Sequence, residues 1–282
     1  MTKNYLSTYA KSFYWAAFFL PKKIYQKCSI LYDFCRSLDN IADQDLELHT
    51  KRKQFNEFKD KFSNKNTDDE TINKMRELID RSEISEKIVY DLFDGVESDL
   101  KNEVKINSKK ELLIYSYRVA GTVGLMMAKI LNVKKEDSLK AAIDLGIAMQ
   151  LTNISRDVAE DRKKNRKYID NNFESIKNTL MTANTFYKSS FSSIGDIPIN
   201  SRFTILVARR VYRQIGNNIL RKGNIENYNK SGKIYVSNLG KLFQTILSFF
   251  DFLILLIINS KGHDKDSEHQ IIKEEINLNE RI

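Results

Sequence analysis

The sequence contains few of the residues that interrupt helices. Its 282 residues include only two prolines and ten glycines. Proline removes a backbone hydrogen-bond donor and glycine raises the entropic cost of a helix, so their scarcity favours an all-α chain. No G-x-G-x-x-G motif follows a strand-like run, which argues against a dinucleotide-binding fold. Hydrophobic residues make up 41% of the chain, enough for a substantial core, and we expect one domain over residues 1–282 because no linker-like stretch divides it.

The sequence also has few cysteines, and its N-terminal stretch does not resemble a secretory signal. The two cysteines, Cys28 and Cys35, fall on one predicted helix, and their spacing indicates neither a disulfide framework nor a zinc site. The N-terminal stretch MTKNYLSTYAKSFYW lacks the long apolar run and small-residue cleavage site of a secretory signal. We therefore expect a cytoplasmic protein, with peripheral contact to the cytoplasmic membrane left open.

Acidic residues are in deficit. The 46 Lys and Arg residues outnumber the 37 Asp and Glu residues, which gives a formal net charge of +9. A basic balance suits nucleic acids, anionic membranes or phosphorylated substrates, and it also serves solubility alone. Charge by itself therefore leaves the partner open, and the motifs must decide.

Apolar residues recur at three- and four-residue spacing along most of the chain, which predicts helices. Ser108 is expected to cap one of them, with Glu111 completing a capping box. The polar stretches 63–70 and 191–201 predict loops. The predicted helices cover residues 22–48, 71–104 (as one helix or two), 109–131, 136–161 and 201–223.

Five oxygen-bearing side chains form two columns on these helices. In the stretch QLTNISRDVAEDRKKNRKYI, residues 150–169, Asn153, Asp157 and Asp161 are four apart and share one helix face. Asp39 and Asp43 form a second column. Like charges at this spacing destabilise an isolated helix by roughly a few tenths of a kcal/mol, so something must offset that cost. A solvated face with Lys and Arg neighbours is the simplest explanation.

The surroundings of the columns favour a metal site instead. Both columns lie in apolar helices, and each has an arginine close by: Arg36 is three residues before Asp39, and Arg156 is beside Asp157 and three residues after Asn153. Carboxylate and amide oxygens without nearby His or Cys suit Mg²⁺, which proteins usually hold with one or two carboxylates together with substrate phosphates. Basic groups would then bind the phosphate oxygens. A basic run follows the second column at Lys163, Lys164, Arg166 and Lys167. The pattern predicts that the acids bind Mg²⁺ and that Mg²⁺ binds a diphosphate.

Four segments resemble the successive motifs of the squalene/phytoene synthase family, in order and in spacing. They are KSFYWAAFFLP, LYDFCRSLDNIADQ, YSYRVAGTVG and GIAMQLTNISRDVAEDRKKNRKYI. The resemblance runs from about Ser12 to about Leu242. It implies an all-α isoprenoid-synthase bundle around a central apolar cavity. It also implies a head-to-head condensation of two prenyl diphosphates through a cyclopropylcarbinyl diphosphate, and the chain looks most like a bacterial phytoene synthase.

The resemblance also assigns roles to individual residues. It implies Mg²⁺ ligands on two walls, Asp39 and Asp43 on one and Asn153, Asp157 and Asp161 on the other. It implies diphosphate-binding groups at Ser12, Arg36, Arg156 and Lys233. Polar positions of the family's substrate site match Tyr115, Gln150, Tyr168 and Tyr212, and its apolar wall matches Phe13, Val119, Ala120 and Val123. The catalytic set implied in this way is Asp39, Asp43, Asp157, Asp161, Tyr115 and Tyr212.

Two positions depart from the family's pattern. The first acidic motif commonly reads Asp-Asp-x-x-Asp, and Asn40 takes its second place here. Lys233 stands where an arginine is frequent, which keeps the charge and loses the bidentate fork. Because the outer acids Asp39 and Asp43 remain, we expect Mg²⁺ binding to survive, with Mn²⁺ as a substitute, and we expect no use of NADPH.

Several functions stay open at this point. The leading expectation is phytoene synthesis from two geranylgeranyl diphosphates, in carotenoid biosynthesis. The first alternative is a farnesyl diphosphate enzyme that makes squalene, dehydrosqualene or presqualene diphosphate. A second is a non-catalytic relative that acts as an assembly or lipid-binding factor. Nucleic acid is not expected as a partner, because the basic run adjoins an acid column that would repel phosphate in the absence of a cation.

The C-terminal part of the sequence is an apolar segment, about 242–259, followed by a charged tail, about 260–282. Polar residues interrupt the apolar segment, and Asp251 near its middle would be costly inside a bilayer. The segment is therefore predicted to be a closing core helix, an interfacial helix or a membrane span.

Overall fold

The structure, a computed structural model, describes residues 11–64, 67–260, 262–263 and 267–282, with side chains from Tyr14 onward. It confirms the all-α prediction. The α-helices are α1 (Lys11–Ala17), α2 (Lys22–Asp43), α3 (Leu48–Ser63), α4 (Glu70–Arg81), α5 (Glu86–Ser98), α6 (Lys109–Ser116), α7 (Thr122–Ile130), α8 (Glu136–Lys163), α9 (Phe173–Ser189), α10 (Ile199–Leu220), α11 (Ile225–Lys230), α12 (Asn238–Ile257) and α13 (Ser267–Glu275). A π-helical turn (Tyr117–Gly121) joins α6 to α7, and short 3-10 helices span Ser192–Asp196 and Leu278–Glu280.

The central element is α8, the longest of these helices at 28 residues. It packs against α7, α9, α10 and the π turn. Its buried face is almost continuous from Ser138 to Val158, so the acid column begins inside the bundle and ends at its surface. This position places the predicted metal ligands of α8 between the core and the solvent.

Most predicted helix ends agree with the structure. Ser108 Oγ accepts a hydrogen bond from the backbone N–H of Glu111 at 3.1 Å, as a capping box requires. The Glu111 carboxylate accepts from the N–H of Asn107 at 2.8 Å, one residue earlier than in the standard box. The predicted helix 22–48 is instead two helices, because Gln44 has ψ 149° and leaves the helical region after Asp43.

The predicted helix 109–131 is interrupted by the π turn, which the apolar pattern did not indicate. Beside this turn, α7 and α8 approach each other backbone to backbone. A Cβ on Gly124 would lie 2.2 Å from the Ala142 carbonyl oxygen, and a Cβ on Gly146 would lie 2.2 Å from the Ala120 carbonyl oxygen. Only glycine fits at such contacts. π turns occur frequently at functional sites.

Two residues after α8, the strand β2 (Arg166–Lys167) pairs in parallel with β1 (Val104–Lys105). The N–H of Val104 donates to the Asn165 carbonyl at 2.9 Å, and the N–H of Ile106 donates to that of Lys167 at 3.0 Å. This short ladder holds the loop after α5 against the basic run that follows the acid column.

Residues 242–257 of the apolar segment lie in α12, which ends at Ile257, and the buried face of this helix is the polar one. Gln244, Ser248 and Asp251 face the bundle, and Arg210 of α10 donates two hydrogen bonds, at 2.5 and 2.6 Å, to the Asp251 carboxylate. Large apolar side chains face outward. In the described residues, α12 is the one helix long and apolar enough to cross a membrane, by length and composition only. A closing core helix would bury its apolar side, which is the reverse of the arrangement in α12.

The charged tail folds back onto the bundle. Helix α13 packs against α6, and Ile272, Ile276 and Leu278 are buried. Arg281 donates two hydrogen bonds to Asp91 at 2.9 and 3.0 Å. The tail is therefore an ordered part of the fold in its described residues.

Candidate active site

An apolar cavity of about 290 Å³ runs between α2, the π turn, α7, α8 and α10. Its walls are mostly aliphatic, and one end carries polar side chains. Of the side chains predicted to line a substrate site, the cavity brings together Val119, Ala120, Val123, Gln150, Asn153 and Asp39. The side chains of Ser12 and Phe13 lie outside the described residues.

Asp39 faces this cavity from the last turns of α2. Its side chain is exposed and lines the cavity, where the surrounding protein displaces part of the bulk water. This desolvation raises the pKa of Asp39 to about 6, while the guanidinium of Arg36, one turn earlier, opposes the rise. A cation bound nearby would stabilise the ionised form of this carboxyl group.

Asp43, one turn further along α2, is held by the basic run. Arg166 Nη1 lies 2.9 Å and Lys164 Nζ lies 3.1 Å from Asp43 Oδ1, and Arg166 Nη2 donates to the Ala42 carbonyl at 3.2 Å. Burial would raise the pKa of Asp43, but Arg166 and Lys164 keep it below its usual value. The basic run thus crosses from the end of α8 to the end of α2 and connects the two acid columns.

On α8, Asp157 is neutralised by two basic side chains. Arg156 donates two hydrogen bonds to its carboxylate at 2.8 and 2.5 Å, and Lys233 Nζ lies 3.3 Å from Asp157 Oδ1. Lys233 also lies 2.5 Å from Glu160 Oε2. Two of the four predicted diphosphate-binding groups, Arg156 and Lys233, are therefore at the acid column, where they pair with carboxylates.

The other two side chains of the α8 column, Asp161 and Asn153, have fewer charged or hydrogen-bonding partners. Burial raises the pKa of Asp161 to about 7, and the nearby Asp157 contributes to the rise. Asn153 Oδ1 is buried and has no hydrogen-bond partner among the described residues. A buried acceptor without a donor costs about 1–3 kcal/mol, so this atom is suited to a ligand or ion.

Asp99 belongs to the site and was missed by sequence analysis. Its carboxylate accepts hydrogen bonds from the Tyr115 hydroxyl at 2.8 Å and the Tyr168 hydroxyl at 2.7 Å. The two tyrosine rings stack with centroids 4.8 Å apart. Burial raises the pKa of Asp99, and Arg166 opposes the rise. Asp99 follows α5 in a polar loop and reaches the site through the β1–β2 ladder, which no local pattern indicates.

Tyr168 and Tyr212 lie in different parts of the candidate site. Tyr168 lines a small recess together with Asp161 and Arg166. Tyr212 is buried on α10, where burial raises the pKa of its hydroxyl well above the usual range and Arg156 opposes the rise. Both are thus close to charged groups of the α8 column.

The residues present fit a hard divalent cation. Carboxylate and amide oxygens from α2 and α8 flank the polar end of the cavity. Cys35, one turn before Asp39, also lines the cavity, but burial raises the pKa of its thiol and keeps it from offering a thiolate. Three observations indicate incomplete compensation among these donors: the raised pKa values of Asp39 and Asp161, and the unpartnered Asn153 Oδ1.

The fold and the site together define the class of protein, an all-α isoprenoid synthase with acid columns on two helices at one end of an apolar cavity. The squalene/phytoene synthase family profile matches residues 6–173, more than half of the chain, and the chain belongs to this family. It is thus a prenyltransferase-type enzyme, and it is similar to bacterial phytoene synthases.

Individual relatives agree with this assignment. The 15-cis-phytoene synthase of Paracoccus sp. (strain N81106 / MBIC 01143) is 29% identical over 266 residues, covering 82% of this chain and 86% of the relative. That of Pantoea ananas is 27% identical over 247 residues, covering 76% and 80%. A crystal structure of a dehydrosqualene synthase in complex with ligand has a TM-score of 0.69 at 26% identity, covering 87% of this chain and 93% of the other. The squalene synthase HpnC from Alicyclobacillus acidocaldarius, at 15% identity and a TM-score of 0.64, shares the fold.

Proposed function

We propose that this protein condenses two molecules of geranylgeranyl diphosphate head to head to form phytoene. The observation that carries the proposal is the meeting of two acid columns, linked by Arg166 and Lys164, at the polar end of an apolar cavity. A prenyl diphosphate has the same two-part character, an anionic head and a long apolar chain. The phytoene synthases among the relatives support the C20 substrate.

The columns would hold the metal ion of the reaction. Asp39, Asp43, Asn153, Asp157 and Asp161 are the proposed ligands. A bound Mg²⁺ would stabilise the negative charge that develops on the departing diphosphate. Asn40 is not needed for this role, because both outer acids of its motif are in place.

The basic side chains would change partners when substrate binds. Arg156, Lys233, Arg166 and Lys164 each pair with a carboxylate of a column. A cation that takes over those carboxylates leaves the basic groups able to bind diphosphate oxygens, which favour such charge-assisted contacts. Arg36, beside Asp39, is proposed to bind diphosphate in the same way.

The rest of the site would position the prenyl chains and exclude water. The apolar walls at Val119, Ala120 and Val123 would contact the chains, and a dry cavity protects an allylic cation from water. Tyr115 and Tyr168 remain protonated, because burial raises the pKa of each hydroxyl well above the usual range and Asp99 adds to the rise. They are thus neutral polar groups held in a fixed orientation.

A farnesyl diphosphate enzyme is the second candidate. The dehydrosqualene synthase structure, at 26% identity, is the observation that favours it. The experiment is to incubate the full chain with Mg²⁺ and either geranylgeranyl or farnesyl diphosphate, with and without NADPH, and to identify products by mass spectrometry. A C40 hydrocarbon from the C20 substrate without NADPH is expected. A C30 product moves the assignment to the squalene branch, and no turnover by folded, metal-supplied protein contradicts the enzymatic proposal and favours a non-catalytic relative.

We also propose that the outward face of α12 rests on a membrane surface. Leu239 and Ile257 at its two ends are 80% and 85% exposed, and Phe243 and Phe250 between them are 57% and 55% exposed. Exposed apolar patches of this kind mark interaction surfaces. Trp15 Nε1 of α1 donates to Thr245 Oγ1 at 3.0 Å, so α1 lies beside α12, and Phe18, the residue after α1, is exposed as well. The net charge of +9 favours anionic lipids, and a membrane would accept the hydrocarbon product.

A further inference from the structure

Two of the chain's three histidines converge on one buried carboxylate, far from the acid columns. His263 Nε2 lies 2.9 Å and His269 Nε2 lies 2.8 Å from Asp144 Oδ2. The three residues are 9%, 3% and 2% exposed, in that order. Asp144 lies on α8 nine residues before Asn153, which is roughly 14 Å along the helix axis. The cluster is therefore separate from the proposed Mg²⁺ site.

The surroundings of the cluster orient its members. Ser189 Oγ of α9 donates to Asp144 Oδ2 at 2.5 Å. The rings of His263 and His269 meet edge to face at 4.5 Å, and Phe186 packs edge-on against His269 at 5.1 Å. Metal-binding carboxylates are typically held in this way, by hydrogen bonds and by an apolar shell that limits water, whereas His263 Nδ1 has no hydrogen-bond partner among the described residues.

We propose that Asp144, His263 and His269 form a second metal site, which binds a zinc-type transition-metal ion and fastens the C-terminal segment to α8. The donor set is two imidazole nitrogens and one carboxylate, which suits Zn²⁺ and related ions. The three donor atoms lie within 4.8 Å of one another.

The spacing supports such a site. Ligand atoms of a tetrahedral zinc site with bonds of about 2.0–2.1 Å are about 3.3 Å apart. The two nitrogen–oxygen distances are 2.9 and 2.8 Å, so each of these two pairs needs to separate by only about half an ångström. The two imidazole nitrogens lie within 4.8 Å of each other, so a shared ion requires an adjustment of at most about 1.5 Å between them. The second carboxylate oxygen or a water molecule can supply the fourth ligand.

A metal ion would also strengthen the attachment of the C-terminal segment that carries the two histidines. Its other ties near α13 include ion pairs of Lys109 with Glu268 and of Lys110 with Glu275, in which both lysines are about half exposed. Exposed pairs contribute only about 0–1 kcal/mol. A metal ion that binds a preformed site stabilises the folded state and not the unfolded chain, so its effect appears directly in stability.

The test uses the full chain, treated with chelator and kept free of Mg²⁺ and substrate, so its outcome is independent of prenyltransferase activity. Titration with CoCl₂ is expected to give the strong visible absorption of four-coordinate cobalt, saturating at one such ion per chain, and ZnCl₂ is expected to displace it. Cobalt bound by the oxygen ligands of the acid columns would be six-coordinate and absorb only weakly. Added Zn²⁺ should raise the thermal midpoint. His263→Gln and His269→Gln should each weaken cobalt binding at least about tenfold.

Two control variants define the location of the ion. His49→Gln removes the third histidine, which is exposed at the start of α3, and Asp161→Asn alters the acid column. Both are expected to keep the cobalt spectrum. Wild-type protein that takes up no stoichiometric cobalt overturns the proposal, as does binding that survives both histidine variants or is lost in Asp161→Asn.

A further measurement covers the case in which the histidine variants do not fold. The wild-type cobalt complex should show paramagnetically shifted proton resonances from two imidazole rings in its NMR spectrum. A cobalt-loaded protein without them overturns the proposal and leaves the cluster as a hydrogen-bonded contact.

Discussion

At the scale of single residues, the site pairs two of its acids with nearby bases and leaves others among the described residues without one. Asp43 is paired with Arg166 and Lys164, and Asp157 is paired with Arg156 and Lys233. Asp161 lacks such a pair in the described residues, and burial raises its pKa to about 7. The acids whose negative charge is least balanced by nearby bases are thus the ones that a bound cation would stabilise most.

Asp161→Asn tests this balance. The substitution removes a proposed metal ligand, so the rate of product formation should fall about 100-fold or more, the size of effect seen when one electrostatic stabilising group is lost. It also removes a partly buried charge beside Asp157, so the thermal midpoint should stay the same or rise. Asp170→Asn, at an exposed acid paired with Lys167, is the matched control and should leave the rate unchanged. A rate near the wild-type value in Asp161→Asn would remove this residue from the site.

Asp99→Asn tests the positioning of the two tyrosines. The amide keeps the size of the side chain and weakens its two hydrogen bonds to Tyr115 and Tyr168. Activity should fall about 10–100-fold, as is usual for groups that orient a site. The Tyr115→Phe and Asp99→Asn effects should be non-additive by about 0.5–3 kcal/mol in a double-mutant cycle, because the two residues contact each other. Strict additivity would mean that Asp99 acts independently of Tyr115.

Sequence analysis identified most of this site and missed its positioning groups. The four-residue spacing of the acids is a local property, so one helix is enough to reveal it. Asp99 has no local signal, because its role depends on a two-residue strand pair between segments about sixty positions apart. The same holds for Asp144 and His269, which are 125 positions apart. Contacts of that range depend on the whole topology.

At the scale of elements, glycine sets the distance between α7 and α8. We expect Gly146→Ala to destabilise the protein by about 1–3 kcal/mol, because the new Cβ would lie 2.2 Å from the Ala120 carbonyl oxygen and must push the π turn away. Urea denaturation measures the free energy of unfolding. In the control Gly195→Ala, the Cβ would meet nothing closer than 3.8 Å and stability should change little. Equal effects in the two variants would contradict close packing at α8.

The π turn before α7 could not be predicted from the spacing of apolar residues. The apolar spacing through YSYRVAGTVGLMMAKIL fits one unbroken helix, and the structure places a π turn at Tyr117–Gly121 inside it. A π turn adds one residue to a helical turn and leaves the apolar composition unchanged, so the sequence gives no sign of it. Its consequence is functional, because Val119 and Ala120 of this turn line the cavity.

One of the contacts that attach α12 to the bundle is a partly buried ion pair with α10. Arg210 donates two hydrogen bonds to Asp251, whose side chain is 9% exposed. Asp251→Ala should therefore destabilise the fold by about 1–3 kcal/mol, because it leaves a partly buried guanidinium without its partner. Urea denaturation would also be applied to Glu83→Ala, which removes an exposed pair with Lys134 and should cost about 0–1 kcal/mol. Similar losses in both variants would mean that the α12 contact is weak.

At the scale of the whole molecule, the orientation of α12 distinguishes the three interpretations of segment 242–259. Its polar residues face the bundle and its apolar residues face outward. A core helix has the opposite arrangement, and a span would have to bring Asp251 and its partner Arg210 into the bilayer at a cost of several kcal/mol. An interfacial helix needs one apolar face outward and a packed face inward, which is the arrangement present.

Vesicle binding tests that choice. The wild-type chain should co-sediment with anionic vesicles more strongly than with neutral ones, and salt should weaken the binding because the net charge of +9 contributes. The double variant Phe243→Ser and Phe250→Ser should reduce binding at least about tenfold, since each buried phenylalanine contributes about 1.5–3 kcal/mol. Met181→Ser, at an exposed apolar residue of α9, is the control and should bind normally. Because all three side chains are exposed, thermal midpoints should stay close to wild type, and unchanged vesicle binding by the double variant would assign the outward face of α12 to another partner.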